Sequence, residues 1–160
     1  MSHFDHSTYL SPFTWRYGTD EMRHIWSVEH QRRIWRRIWI ALARAQQTVG
    51  LVSEEQVADL IEHKDRVDLE RSAEIEKAIR HDVMSEVKAY AEQCTIGGGI
   101  IHLGATSMDV QDNADAVRLG EALDIVIRKV ETLLERLCQQ IEAQADVTTM
   151  GFTHLQPAEP

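Results

Sequence analysis

Proline is almost missing from the interior of this 160-residue chain: Pro12, Pro157 and Pro160 leave residues 13–156 without one. Such a stretch keeps every backbone donor and meets no ring clash, which favours helices. Cysteine is scarcer still. Cys94 and Cys138 are too few for a disulfide framework and show no CxxC spacing, so we expect a reduced, cytoplasmic protein. No apolar run approaches the ~20 residues that span a bilayer, and the start, Met1-Ser2-His3-Phe4-Asp5, lacks the basic segment and apolar core of a signal peptide. Cationic residues are the minority: 17 Lys and Arg face 26 Asp and Glu, for a net charge of -9. That balance excludes a general nucleic-acid binder, which needs excess cation to displace counterions from phosphates. The P-loop, dinucleotide, HExxH and GxSxG patterns are missing too, and the eight histidines are scattered, so no metal or cofactor is expected.

What is present describes a soluble helical protein. Hydrophobic residues make up 43% and charged residues 27%, an ordinary globular balance. A domain of this size buries roughly 70% of its unfolded surface. The charge is uneven: residues 1–50 carry 7 Lys/Arg against 4 Asp/Glu, net +3, and residues 51–160 carry 10 against 22, net -12. Glycines, not prolines, punctuate the chain. A first helix is expected from a Thr19 or Asp20 cap to Gly50, with Ile34, Trp35, Ile38 and Trp39 on a buried stripe beside a solvated face of Arg32, Arg33, Arg36 and Arg37. The same pattern also admits a basic amphipathic membrane helix. A capping box at Ser53-Glu54-Glu55-Gln56 starts a second helix. A third is expected over about Glu70–Cys94, carrying His81 roughly 170° from its apolar stripe.

The last helix is expected over about Asp109–Asp146, a rod roughly 55 Å long. Leu119, Leu123, Val126, Val130, Leu133 and Leu137 step by four and three along it, a coiled-coil-like seam. The shorter helices cannot cover such a rod, which therefore expects bundle partners. After it the chain makes a loop through Gly151–Pro157 and stops, where an antiparallel helix would follow. We read residues 1–108 as a helical domain and 109–160 as the start of a bundle, together the N-terminal piece of a larger protein.

Four polar groups fall at helix ends or off the core faces. Arg16-Tyr17 can grip a phosphate by charge-assisted bonds, or can be a packed aromatic with a surface Arg. Arg80-His81-Asp82 puts a donor fork, an imidazole and a carboxylate in three residues, enough to orient a substrate, and equally a solvated helix face. The loop ending Gly104-Ala105-Thr106-Ser107 runs into the long helix, where hydroxyls, free N–H groups and the helix dipole suit a carboxylate; simple capping is the alternative. His154, in a polar loop, can donate or accept a proton, or merely be a surface histidine.

The order of these segments is more telling than any one. Ile100-Ile101-His102-Leu103-Gly104-Ala105-Thr106-Ser107, then Gln111-Asp112-Asn113-Ala114, then Gly151-Phe152-Thr153-His154-Leu155-Gln156-Pro157-Ala158 resembles the adenylosuccinate lyases of the fumarase/aspartase superfamily. Arg16-Tyr17 and Arg80-His81-Asp82-Val83-Met84 look like earlier motifs of the same family. The resemblance implies an all-α homotetramer that splits adenylosuccinate, and the related succinyl-carboxamide ribotide, to fumarate by β-elimination without a cofactor. By resemblance, His154 is the general acid and His81 aligns the substrate or shares its charge. Thr106 and Ser107 hold the succinyl carboxylate, Arg16 and Tyr17 the nucleotide, and Arg80 and Asp82 complete the pocket, while His102 structures its loop. The family's catalytic base, a serine on a downstream mobile loop, has no counterpart here, so the segment alone is expected to be inactive. Argininosuccinate lyase, a carboxymuconate cycloisomerase and a non-catalytic helical oligomerisation module are the alternatives.

Overall fold

The computed structural model describes residues 9–158. Its elements in chain order are α1 (Pro12–Trp15), α2 (Asp20–Ile25), α3 (Val28–Thr48), α4 (Glu54–His63), α5 (Leu69–Ile79), α6 (Asp82–Ala91), a 3₁₀ turn at Gly98–Ile100, α7 (Ser107–Gln144) and a two-residue hairpin, β1 (Phe152–Thr153) with β2 (Gln156–Pro157). The all-α expectation is met. Two compact units divide between Ala122 and Leu123, inside α7.

The first expected helix is two. Thr19 caps α2, its hydroxyl accepting from the Met22 N–H, and Ser27 caps α3 in the same way through the His30 N–H. Ser27 also donates to the His24 carbonyl, so one short hydroxyl closes one helix and opens the next. Gly50, at φ +77°, ends the helix region as expected. The capping box at Ser53 is present in both directions.

Trp35, Trp39, Leu60, Val83 and Tyr90 centre the core of the first unit. The solvated arginine face expected on α3 is only partly there: Arg36 is 0% exposed and Arg32 8%, while Arg37 is exposed. Arg36 is tolerated inside because its Nε and Nη1 donors are used, while Nη2 has no hydrogen-bond partner among the described residues. Nε bonds Glu86 Oε1 at 2.9 Å, and Nη1 bonds the carbonyls of His63 and Arg66 and the Gln93 side chain. The guanidinium also lies 4.2 Å from the Tyr90 ring centroid. Burial pushes the Glu86 carboxyl up while Arg36 pulls it down, and burial has the larger effect.

The third expected helix is also broken, and this break matters most. Arg80 sits at φ 53°, ψ 44°, in the left-handed region, and His81 is extended and caps α6. Neither Gly nor Pro marks the place. A non-glycine residue there costs about 1–2 kcal/mol. We therefore expect Arg80→Gly to raise the stability of the chain by about 1 kcal/mol in urea titration while removing a guanidinium from the candidate site. An unchanged or lowered midpoint would show that Arg80 is not strained.

Candidate active site

The Arg80–Asp82 break replaces the expected helix face with a corner. At that corner the His81 Nδ1 accepts the Met84 N–H at 3.4 Å and stands 3.6 Å from Asp82 Oδ1. With Nδ1 accepting, the proton of the neutral ring sits on Nε2. Both side chains remain about half exposed, at 46% and 48%, so the corner is open to a ligand. Arg80 lines a shallow hollow with Ala73, Glu76 and Lys77.

The start of α7 lies beside this corner. Gln111 Nε2 donates to Asp82 Oδ2 at 2.8 Å, which joins two segments 29 residues apart in the chain. The loop before α7 is held from the other side. Gln46 donates to the Leu103 carbonyl at 2.8 Å, and Trp39 Nε1 donates to His102 Nδ1 at 3.2 Å. His102 at φ 68° and Gly104 at φ 74° turn the chain sharply into the helix.

At the helix start, Asp109 Oδ2 accepts the Thr106 N–H at 2.8 Å. Asp109 thus takes one of the donors that a substrate carboxylate would use. By helix geometry the next amides, of Ser107, Met108 and Asp109, are the open ones. Among the described residues neither the Thr106 nor the Ser107 hydroxyl is engaged in a hydrogen bond, so both are free for a ligand.

Electrostatics at the corner include a residue expected from the sequence to lie in solvent. The Arg32 guanidinium stacks 3.9 Å from the Trp35 ring centroid, and its Nε and Nη1 have no hydrogen-bond partner among the described residues. Burial lowers its pKa, against the opposing fields of Glu86, Asp82 and Glu76. A buried cation therefore backs the Asp82 carboxylate. The signal was in the spacing: Arg32, Arg36 and Ile40 stand four apart, on one side of α3.

His102 is shifted as well. Burial lowers its pKa first, Asp109 opposes and His81 adds to the lowering. Its accepted bond from Trp39 also favours the neutral ring. A histidine lowered on folding binds fewer protons folded than unfolded. Its contribution to stability is therefore present above the unfolded pKa of about 6.5 and is lost as pH falls toward the folded value. NMR titration should find His102 below the ordinary histidine range, and Trp39→Phe should raise it. An ordinary His102 titration would contradict that.

Arg16 and Tyr17 form a separate group. The Arg16 guanidinium lies 4.7 Å from the Trp15 ring centroid and Tyr17 faces Phe13 at 6.1 Å. No bond joins them to the Arg80–Asp82 corner among the described residues. Their neighbourhood includes an apolar cleft of about 560 Å³ lined by Phe13, Met22 and Trp26, among others. The short α1 that leads into this group, with Pro12 at its first turn, was not foreseen.

His154 lies in the second unit. In place of a plain loop, Phe152 pairs with Pro157 and Thr153 with Gln156, and His154 and Leu155 form the turn at φ 48° and 65°. Both central residues being left-handed is what a type I′ hairpin turn requires. The tight turn holds the His154 side chain exposed. Asn-Gly or Asp-Gly would have announced this turn; His-Leu does not.

One group among the described residues has the make-up of a metal site. Ligand atoms of Asp59, His63 and Cys94 lie within 4.8 Å of one another. Their present bonds are those of a structural knot. Asp59 Oδ2 accepts the Ile96 and Gly97 N–H groups at 2.7 Å each, and the His63 Nδ1 meets the Asp59 carbonyl at 2.9 Å. Burial pushes the Cys94 thiol up to about 12, so it stays protonated. A Cβ on Gly97 would come within 2.6 Å of the Gln56 carbonyl, so only glycine lets this loop close on α4.

Residues 15–160 match the profile of a family described as Lyase. The chain belongs to that lyase family. Among curated relatives of this lyase chain, the adenylosuccinate lyase of Schizosaccharomyces pombe is 40% identical over 97% of the chain and 33% of the relative. That of Saccharomyces cerevisiae is 36% identical over the same shares. The lyase chain thus spans about a third of the length of these relatives. Among solved structures, a 3-carboxy-cis,cis-muconate lactonizing enzyme from Pseudomonas putida superposes with a TM-score of 0.80 at 30% identity, over 91% of this chain and 35% of that one. A fumarate lyase from Mesorhizobium sp. BNC1 superposes at 0.78 with 24% identity, over 89% and 34%, and shows the shared fold.

Proposed function

We propose that this chain is part of an adenylosuccinate lyase, which splits adenylosuccinate to AMP and fumarate, and the succinyl-carboxamide ribotide of purine synthesis in the same way. The observation that carries the reading is the corner at Arg80–Asp82 bonded to the start of α7. It joins a ligand-accessible imidazole to hydroxyls at a helix N-terminus, in a chain 40% identical to an adenylosuccinate lyase along nearly its whole length.

In the proposed reaction a base removes a proton from the succinyl Cβ, charge builds on the neighbouring carboxylate, and the C–N bond breaks as the leaving nitrogen gains a proton. Thr106, Ser107 and the first amides of α7 are assigned to the carboxylate, where the helix dipole favours developing negative charge. His154 is assigned to protonating the leaving nitrogen. His81 aligns the substrate or shares its charge, with Arg80 and Asp82 beside it, and Arg16 and Tyr17 take the nucleotide. The base is assigned to a residue outside these 160.

The reading includes a cytoplasmic homotetramer. Support comes from α7, whose seam residues Val126, Val130, Leu133 and Leu137 stand about half exposed. No helix of the described residues is long and apolar enough to cross a membrane. The discriminating experiment offers the full-length protein adenylosuccinate, argininosuccinate and carboxymuconate in parallel. Fumarate from adenylosuccinate at the highest kcat/KM supports the reading; preference for either of the others moves the chain to another branch of the superfamily.

A further inference from the structure

We infer that Gln111 is a positioning residue, which acts through Asp82 to fix the Arg80–His81 corner against the start of α7; this rests on the lyase reading of the site. The backbone of the corner is anchored, with the Arg80 N–H on the Glu76 carbonyl at 2.7 Å and the Ser85 hydroxyl on the Asp82 carbonyl at 2.6 Å, but the His81 and Asp82 side chains are held loosely. Arg80 is left-handed, His81 is extended, and the cap that His81 supplies to α6 is long, at 3.4 Å. Asp82 is half exposed, and its Oδ1 stands 3.6 Å from the His81 ring, beyond hydrogen-bond reach. The Gln111 amide on Oδ2, at 2.8 Å and partly buried, is the close bond on that carboxylate.

The position of Gln111 makes it an effective clasp. It lies one turn beyond Ser107, the first residue of the helix that Thr106 immediately precedes. The helix start is fixed through Asp109 and through the Gln46 and Trp39 bonds to the preceding loop. The adjacent Val110 and nearby Ala114 are buried in the core, so the backbone of Gln111 cannot drift. A side-chain amide on a rigid helix thereby sets where Asp82, and with it His81, stands relative to the carboxylate-binding turn. An amide suits this role because it donates to the carboxylate without adding a charge that would compete for the substrate anion. Misplacing a reacting group by about 1 Å can cost about 100-fold in rate.

The test uses the full-length protein. Gln111→Met keeps the bulk and removes the donor; Gln111→Glu keeps the shape and sets a second carboxylate against Asp82. We expect Gln111→Met to lower kcat/KM for adenylosuccinate about 10-fold and Gln111→Glu more, of the order seen for lost positioning contacts. In an Asp82→Ala background, Gln111→Met should cause no further loss, because its action runs through the missing carboxylate. Equal losses in both backgrounds would overturn the inference. Amide exchange supplies the reading that does not need turnover: Gln111→Met should speed exchange at Met84 and its neighbours in the first turn of α6 at least about 5-fold. Unchanged protection there would overturn the inference as well. If the unsubstituted protein released no fumarate, the lyase reading would fall, and exchange alone would decide whether the clasp exists.

Discussion

Replacing His154 with asparagine in the full-length protein is expected to lower turnover of adenylosuccinate by roughly 10²- to 10⁴-fold, the usual contribution of a general acid. Asparagine is the right substitution because the backbone at position 154 is left-handed, at φ 48°. Asparagine tolerates that conformation where alanine is strained. The variant therefore separates chemistry from folding. His154 is exposed in its turn, so its replacement should shift stability by no more than about 0.5 kcal/mol. A leaving group that needs no proton should be released from the variant at nearly the normal rate. Unchanged turnover of adenylosuccinate would remove His154 from the acid role, and a matching loss of folded protein would make its role structural.

The second large effect concerns stability. Arg36→Ala is expected to destabilise the fold by about 3–5 kcal/mol, the range found when one partner of a buried ion pair is removed. The reason lies in what remains. Glu86 is 0% exposed and would keep a carboxyl with no cation bonded to it, and two backbone carbonyls and the Gln93 side chain would lose their donor. Replacing both partners, with Arg36→Met and Glu86→Leu together, should cost less than the single variant, because the Glu86 carboxyl is no longer stranded, while the buried Arg32 keeps only the opposing fields of Asp82 and Glu76. Urea unfolding of the single and double variants checks both statements. A single-variant loss below about 1 kcal/mol, the size of a surface pair, would show that the pair is not buried as described.

Much of the fold was legible because it is written in local rules. The Ser53 capping box, the Thr19 cap, the Gly50 stop and the long rod of α7 follow from sequence spacing alone. The two helix breaks were not legible. Ser27 interrupts a continuous apolar stripe without a glycine or proline, and at Arg80-His81 the period of Ile75, Val83, Val87 and Tyr90 continues across the break. Periodicity reports which side faces the core, and both pieces keep that side inward. Histidine as a cap and arginine in the left-handed region are poor helix-end signals, so tertiary packing decided this corner. Burial of Arg36 escaped for a related reason. A charged residue reads as solvated until its partner is known, and Glu86 stands 50 residues away.

The candidate site was legible as a set of residues and not as an arrangement. Arg80, His81 and Asp82 lie where a helix face was expected and instead form a corner. Thr106 and Ser107 stand at a helix start as foreseen, with Asp109 as an unforeseen competitor for one amide. Gln111 was visible as part of a motif, but its bond to Asp82 depends on how α6 and α7 meet, which no local pattern encodes.

The most direct measurement is a stoichiometric assay of the full-length protein with adenylosuccinate, following fumarate by absorbance and AMP by chromatography. We expect equal release of the two products, slowed at least about 100-fold when His154 is replaced by asparagine and less severely when Gln111 is replaced by methionine. A folded protein that binds adenylosuccinate and yields neither product would contradict the proposed function.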